Sequence, residues 1–453
     1  MKIIKLTGTL FLLFLYNATY SVNFDQKLAE LLTSKDWFGI EQYYQDHKDS
    51  ISANMRLWYM AETSKVFNRP KVSISAYKEL ITENPFGWDT LSLIGYFGVP
   101  LLQLCGDEFE FQKGVDASKN MLSMIQNESV SDENLRQGYI QYLENAILAF
   151  KKGAKDYSKT DVTKIKKSRK SEINLILNKN SNDIIFRSLC NDKPVKFLFD
   201  TGAGVCFIWN KNTAKKIGLK VNNNDTILLG QTKTVSGIID SLEVGPYQFK
   251  NVPVFVSIDE IDKNDPKQVK CDSILSSVDI VLGMPILKRL ERVQLDFNKH
   301  TMIFSDEIIN NTDRDKNMYI EKNGLFLDMK VLDNSFCAFF DTGFSGGLVV
   351  NSAFYNTTKD LFPSLDKMDP FTNYSGGCSA SNAKVIDNVW QCNDIRISIG
   401  NQTIDLIKNC RVSKEEKDDA PNGTKNGGVL GNHILKYGKK FLFDFQEMRF
   451  SIL

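Results

Sequence analysis

Histidine is scarce, with only His47, His300 and His433 far apart in the chain, and the eight cysteines offer no CxxC pair. No HxxxH spacing is present either, which excludes the usual closely spaced ligands of structural zinc, so no metal and no cofactor is expected. Charge of one sign is also missing: 56 lysines and arginines against 55 aspartates and glutamates leave a net charge of +1. Such a balance sets up no global field toward nucleic acid or an anionic membrane, and any charged function must be local. Nor does any later stretch approach the ~20 apolar residues of a membrane-crossing helix. At the start of the chain, Lys2 and Lys5 precede the apolar run Leu10 to Tyr16 and then small residues up to Ser21. This is the pattern of a secretory signal over residues 1–21, with no cysteine at the cleavage point for lipidation. The mature protein is expected to be soluble, without a transmembrane segment, and exported to a periplasm or secreted; retention of the signal as an anchor is the alternative.

What the chain does have is 453 residues, 42% of them hydrophobic and 25% charged, enough for two or three domains with proper cores. The periodicity predicts a multidomain α plus all-β protein. Over residues 22–152 apolar residues recur at three- and four-residue spacing with polar breaks near Ser34, Asn68 and Ser131, so an array of helical hairpins is expected. Leu57, Met60, Ala61, Tyr77, Leu80 and Pro85 fall close to the positions of one 34-residue tetratricopeptide repeat, which this stretch resembles. An unrelated helical bundle is the alternative, and either could hold a protein partner or position a substrate. Residues 153–170 continue a lysine-rich run that starts at Lys151 and read as a basic linker. From Ile173 the period changes to two, with turn signals at Asn191 to Pro194, Asn298 to His300 and Asp333-Asn334. Short helices are expected there only at Thr213 to Ile217 and Pro285 to Leu290.

Within this β region one device occurs twice. Phe197-Leu198-Phe199 leads into Asp200-Thr201-Gly202-Ala203, and Phe339-Phe340 leads into Asp341-Thr342-Gly343-Phe344, the aspartates standing 141 residues apart (341 − 200). An apolar pair ending in glycine follows each, Val281-Leu282-Gly283 and Val429-Leu430-Gly431, offset by 148 (431 − 283). Duplicated Asp-Thr-Gly with hydrophobic-hydrophobic-Gly resembles the two-lobed aspartic peptidases of the pepsin and retropepsin clan. The resemblance covers roughly residues 171–453 and implies a bilobal pair of β-barrels, with lobe 1 at 171–310 and lobe 2 at 311–453.

It also implies an activity. Amide hydrolysis needs an activated water and a proton for the leaving nitrogen, and two facing carboxylates that share one proton supply both. Asp200 and Asp341 are the candidate dyad of an endopeptidase acting on peptide or protein substrates. By the same resemblance, Thr201 and Thr342 bond across the lobe junction, Gly202 and Gly343 let the backbone turn beside the carboxylates, and Gly283 and Gly431 pack beneath the turns. Ala203 and Phe344 depart from the pepsin-like pattern, which has a hydroxyl residue there. A flap is expected in the hairpin Leu228 to Ile238 around Gly230 and Gly237, with Tyr374 to Ile386 as its second-lobe counterpart. Cys378 and Cys392 bracket a short glycine- and serine-rich segment and are the candidate disulfide. The family's basic prosegments cover the dyad before activation, which gives the basic arm a candidate role as a cover.

Other functions stay open at this level. The same fold could bind extended peptides without turnover, and a scaffold could act through the helical domain alone. Gly343-Phe344-Ser345-Gly346-Gly347 also matches the G-x-S-x-G nucleophile elbow, with His433 downstream, but that elbow requires a helix after the turn, whereas Leu348-Val349-Val350 reads as a strand.

Overall fold

The structure, a computed structural model, describes residues 21–126, 132–156, 162–176, 182–306, 315–362, 364–374, 378–414 and 426–453. The signal read at residues 1–21 lies outside them except for Ser21. The chain divides at Lys152 into two compact units.

The first unit is helical: α1 (Ser21–Ser34), α2 (Trp37–His47), α3 (Ala53–Val66), α4 (Pro70–Glu83), α5 (Thr90–Leu93), α6 (Val99–Asp107), α7 (Phe111–Gln126) and α8 (Glu133–Asp156). Local chemistry starts and stops these helices. The side chains of Asp36, Ser52 and Asp89 cap the amides at the starts of α2, α3 and α5, Pro70 opens α4, and Asn84 ends it in the left-handed conformation. Helices α3 and α4 pair through the Ser73 hydroxyl, which donates to Ala61 O at 2.6 Å, and through Tyr77, which donates to Glu62 at 2.6 Å. Ala61, Tyr77 and Leu80 are fully buried, whereas Met60 faces outward at 41% exposure, its place in the core taken by Trp58 and Tyr59. A π-helical turn Ile94–Gly98 joins α5 to α6.

The second unit is all-β in its bulk. Its first half contains β1 (Thr163–Lys166), β2 (Lys170–Ile176), β3 (Ile185–Cys190), β4 (Lys193–Phe199), β5 (Phe207–Ile208), β6 (Lys220–Leu229), β7 (Thr232–Val244), β8 (Tyr247–Ser257), β9 (Ile280–Leu282), β10 (Arg292–Asp296) and β11 (Thr301–Ser305). The second half contains β12 (Met318–Glu321), β13 (Gly324–Val331), β14 (Asn334–Asp341), β15 (Leu348–Val350), β16 (Leu365–Lys367), β17 (Phe371–Tyr374), β18 (Ala383–Ile386), β19 (Val389–Ile399), β20 (Gln402–Ser413), β21 (Asn426–Gly431), β22 (Lys440–Asp444) and β23 (Arg449–Ile452). Between the strands lie α9 (Lys211–Lys216), α10 (Pro266–Leu275), α11 (Met284–Leu287) and α12 (Ser352–Thr357). Helices α10 and α12 are additional to those expected. Asp265 caps α10 and Pro266 opens it, but Val269 and Ile274 stay exposed, so no apolar stripe marks this helix in the sequence.

The two halves share local design. Asn191 and Asp192 turn β3 into β4 with positive φ, and 141 residues later Leu332 and Asp333 turn β13 into β14 in the same way. They meet where β10 pairs antiparallel with β22, in the order β23-β22-β10-β11-β2. In that ladder Arg292 faces Asp444, Gln294 faces Leu442 and Asp296 faces Lys440. Since Lys440 and Asp444 stand 148 residues after Arg292 and Asp296, the pairing is its own image about the Gln294 to Leu442 pair. Phe443 of β22 stacks at 5.8 Å on Phe340 at the end of β14 and lies 5.5 Å from Phe199 at the end of β4. One buried ring thus packs against both strands that carry the aspartates.

The segment read as a linker is in part structural. β1 pairs with β8, Lys164 and Lys166 bond Glu291, Lys166 also bonds Asp306, and Lys167 bonds Glu243 at 2.5 Å. Lys164, Lys166 and Lys167 are engaged with these carboxylates and not with Asp200 or Asp341.

The mirrored ion pairs at the junction differ in burial. Arg292 and Asp444 meet at 2.7 Å with side chains 11% and 9% exposed, whereas Lys440 reaches Asp296 at 3.4 Å from an exposed position. Arg292→Met should therefore destabilise the protein by about 1–3 kcal/mol, because Asp444 Oδ2 loses its short, largely buried guanidinium partner while Oδ1 keeps its amides. Lys440→Met should cost less than about 1 kcal/mol, because it removes a longer contact made by an exposed, solvent-screened lysine; each aspartate keeps two amides of its own turn, Asn298 and Lys299 for Asp296 and Gln446 and Glu447 for Asp444. Urea-unfolding midpoints compare the two directly.

Candidate active site

Strands β4 and β14 have the same alternation. Val195, Phe197 and Phe199, and in the other half Phe336, Ala338 and Phe340, point into the core; β4 ends one residue before Asp200 and β14 ends on Asp341. The chain then turns tightly: Ala203 N donates to Asp200 O at 3.3 Å, and Phe344 N donates to Asp341 O at 3.2 Å. Each carboxyl group is gripped by its own turn. Asp200 Oδ1 accepts from the amides of Gly202 (2.9 Å) and Ala203 (3.2 Å), and Asp341 Oδ1 accepts from those of Gly343 (2.9 Å) and Phe344 (3.0 Å).

The threonines cross between the halves. Thr201 Oγ1 donates to Phe340 O at 2.6 Å and accepts from Thr342 N at 3.0 Å, and Thr342 Oγ1 donates to Phe199 O at 2.8 Å and accepts from Thr201 N at 3.0 Å. Both threonines are fully buried, so these four bonds replace water for groups that would otherwise be stranded. Glycine is required beside them for a steric reason. A Cβ on Gly202 would strike the Asp341 carboxyl group, and one on Gly343 would strike that of Asp200. Asp200 and Asp341 are therefore neighbours, each packed on the other's turn.

Gly283 and Gly431 lie beneath the two turns. β9 runs parallel to β4 and β21 parallel to β14, which brings Asp200 N to Leu282 O at 3.1 Å and sets Asp341 opposite Gly431. A Cβ on Gly283 would meet the carbonyl oxygens of Ala203 and Val205, and one on Gly431 would meet those of Phe344 and Gly346. The next amide then reaches up to the turn in both halves: Met284 N bonds Ala203 O and Asn432 N bonds Phe344 O, each at 2.8 Å. Phe344 keeps the amide bond its turn needs, and its ring fills the space over Gly346.

Sequence reasoning missed Asn432 and Asp183. Asn432 is fully buried, and its amide nitrogen donates to Thr342 O at 3.1 Å and to Asp183 at 2.9 Å, tying the second turn to the first half of the unit. A polar residue directly after Gly431, where Met284 follows Gly283, was the available signal. Ser345 is exposed, and Leu348–Val350 after it is strand β15, so the turn does not feed a helix as a serine nucleophile elbow requires. Among the described residues no group of three or more His, Cys, Asp or Glu could hold a metal ion.

Gly230 occupies the tight turn between β6 and β7 with φ of +59°, as a glycine must. Gly237 lies farther down, inside β7, where it pairs with Val221 on one side and Val254 on the other. Tyr374 ends β17, paired with Ala383 of β18. The expected Cys378–Cys392 bond is corrected: Cys378 is joined to Cys271 of α10, 107 residues away. Closeness along the chain misled here, because β19 carries Cys392 into the main sheet opposite Cys410 of β20, while β17 and β18 form a separate ribbon.

A family model described as aspartyl protease matches residues 188–286. The match supports an aspartic peptidase fold for the segment that carries Asp200 and Gly283. Among solved structures, a retropepsin-like aspartic protease from Rickettsia conorii is 22% identical, with 32% of this chain and 94% of that chain covered and a TM-score of 0.21. Conglutin gamma, a basic 7S globulin from lupine seeds, is 8% identical over 62% of this chain and 94% of its own, with a TM-score of 0.34. Basic 7S globulin from soybean is 9% identical over 63% and 96%, with a TM-score of 0.35. No curated protein matches the chain. Among the described residues no helix is long and apolar enough to cross a membrane.

The electrostatics of the pair follow from its placement. Burial, and then the adjacent Asp341 charge, push the Asp200 carboxyl well above the usual carboxylate range, against the amides of Gly202 and Ala203. Asp341 is also raised by burial, while a hydrogen bond from Asp200 and the amides of Gly343 and Phe344 work in the other direction. Two such groups hold one proton between them across mildly acidic pH. An acid raised on folding adds stability that is present below its unfolded value of about 3.8 and lost as pH climbs through the folded value. Asp200→Asn, which cannot ionise, should thus be more stable than wild type at pH 7, by up to about 1.4 kcal/mol for each pH unit above the unfolded value over which folding keeps the carboxyl protonated, and the gap should close toward pH 4. Urea unfolding at both pH values measures it, and an equal gap at the two would mean that Asp200 is not raised.

Proposed function

We propose that this chain is an exported aspartic-type endopeptidase whose β region is a bilobal pair, with Asp200 of the first lobe and Asp341 of the second as its dyad. The observation that carries the reading is the mutual packing of the two carboxyl groups, each against the other's glycine turn and joined through the crossed threonine bonds. The self-matching β10 to β22 ladder and the repeated turns support the two-lobe arrangement, and Lys2, Lys5 and the apolar run after them support export.

In this mechanism the ionised member of the pair takes a proton from a water held between the carboxyl groups, and that water's oxygen attacks the peptide carbonyl carbon. The protonated member hydrogen-bonds to the carbonyl oxygen as the tetrahedral species forms. A proton then passes to the nitrogen, the C–N bond breaks, and the pair is left again with one proton. The crossed threonine bonds hold the geometry, so no reorganisation is needed as charge develops.

Asp200→Asn and Asp341→Asn should each lower kcat/KM on a diverse peptide mixture by about 10²–10⁴ while leaving the circular dichroism spectrum unchanged. Near wild-type turnover in either variant would place the chemistry elsewhere. Ala203 and Phe344 offer amides but no hydroxyl to the carboxyl groups. Without such donors the ionised form is less favoured, so activity should peak at about pH 5–6, and Ala203→Ser should move the profile toward acid.

A further inference from the structure

The two lobes touch a second time, away from the β10 to β22 ladder. Cys271 of α10 in the first lobe is bonded to Cys378, which lies between β17 and β18 of the ribbon in the second. Around this bond Ser379 Oγ and Asn382 Nδ2 donate to Asp259 Oδ2 at 3.1 and 3.2 Å, Thr232 Oγ1 donates to Asn382 Oδ1 at 3.1 Å, and Lys267 Nζ reaches Thr372 Oγ1 at 3.4 Å. Thr232, Cys378, Ser379 and Asn382 are all buried, so this is a packed junction and not a surface graze.

Strand β8 orders the two junctions relative to the dyad. At its start Tyr247 packs on Phe304 of β11 and bonds Glu291, at the level of the interlobe sheet. Eight residues on, Phe255 pairs with Phe207 of β5, the strand that emerges from the Asp200 turn. Just beyond come Ser257 and then Asp259, which belongs to the second junction. The Asp200 turn therefore lies between the interlobe sheet on one side and the Cys271–Cys378 strap on the other.

The covalent path closes the figure. From Cys271 the chain passes through β9 beside Asp200 and through β10 and β11, enters the other lobe at β12, runs along β14 to Asp341 and continues to Cys378, where the disulfide returns it to Cys271. On the peptidase reading, a polypeptide held against the Asp200 and Asp341 turns, between the interlobe sheet and the strap, would pass through this ring. Hydrogen bonds of the strap can open and reclose, but the ring stays closed while the disulfide is intact.

We infer that the strap makes the cleft a threaded passage: the enzyme takes linear, unstructured polypeptides by a free end and excludes cyclic chains and the internal loops of folded proteins. This rests on the peptidase reading above and specifies its substrate class. Neither Cys271 nor Cys378 belongs to the dyad or its turns, so opening the ring should leave cleavage of linear peptides intact.

The test compares one peptide sequence in a linear form and in a head-to-tail cyclic form with a long flexible spacer. The oxidised wild type should cleave the linear form and fail on the cyclic one, while Cys271→Ser and Cys378→Ser should cleave both with a ratio near unity. A dithiol reductant, itself oxidised to its cyclic disulfide as Cys271 and Cys378 become thiols, should act as the serine variants do. Cleavage of the cyclic peptide by the oxidised protein as fast as the linear one overturns the inference, as does finding both cysteines free in peptide maps of the unreduced protein. The same pair of peptides is followed by fluorescence anisotropy on Asp200→Asn, where the linear form should bind and the cyclic form should not until the ring is opened. That binding contrast without cleavage by any form would support the strap and remove the peptidase reading, and equal binding of both forms would remove the strap.

Discussion

Two buried carboxyl groups pressed together are an unfavourable arrangement, and the β unit is built to impose it. Left free, Asp200 and Asp341 would move apart into water, since burial and mutual repulsion both oppose charge on them. What prevents this is the crossed set of threonine bonds. Each hydroxyl both donates to a carbonyl and accepts from an amide of the opposite half, so withdrawing one turn would strand buried polar groups in both. Replacing that loss with solvent is not an option at fully buried positions.

The rest of the architecture serves the same constraint from below and from the sides. Phe443 packs against the terminal phenylalanine of each aspartate strand, so the spacing of those strand ends is set by one close-packed core and not by the turns alone. Gly283 and Gly431 bring a second strand directly under each turn, where any side chain would collide with backbone carbonyls. The self-matching ladder of β10 and β22 carries this symmetry out to the far edge of the unit.

Symmetry stops at the strap. The second half sends its β17–β18 ribbon to the α10 side of the first half and is bonded there through Cys378, while the β6–β7 hairpin remains within its own sheet. Asn432 is a second break in symmetry, because it ties its turn to Asp183 where Met284 in the other half makes no such bridge. Both departures join the halves to each other, and neither alters the grip of the turns on the carboxyl groups.

The local parts of this design were legible in the residues. Period-two alternation into Asp200 and Asp341, the glycines at 202, 343, 283 and 431, and the turn residues at 191–192 are short-range statements, since strand, turn and steric demand are set by neighbours in sequence. Helix α10 was not legible, because it is held by its Asp265 cap and by the fold around it without an apolar stripe of its own. The partner of Cys378 was not legible either: chain separation favours Cys392, and only the routing of β19 into the main sheet and of the ribbon out of it brings Cys271 near. A basic arm reads as solvated until Glu291, Asp306 and Glu243 are placed beside it by strands far away in sequence. What the sequence determined by itself was the pair of aspartate turns and the strands that deliver them. Tertiary structure alone decided how close the two turns come and where the halves are bonded together, because those distances are set by packing between segments more than a hundred residues apart.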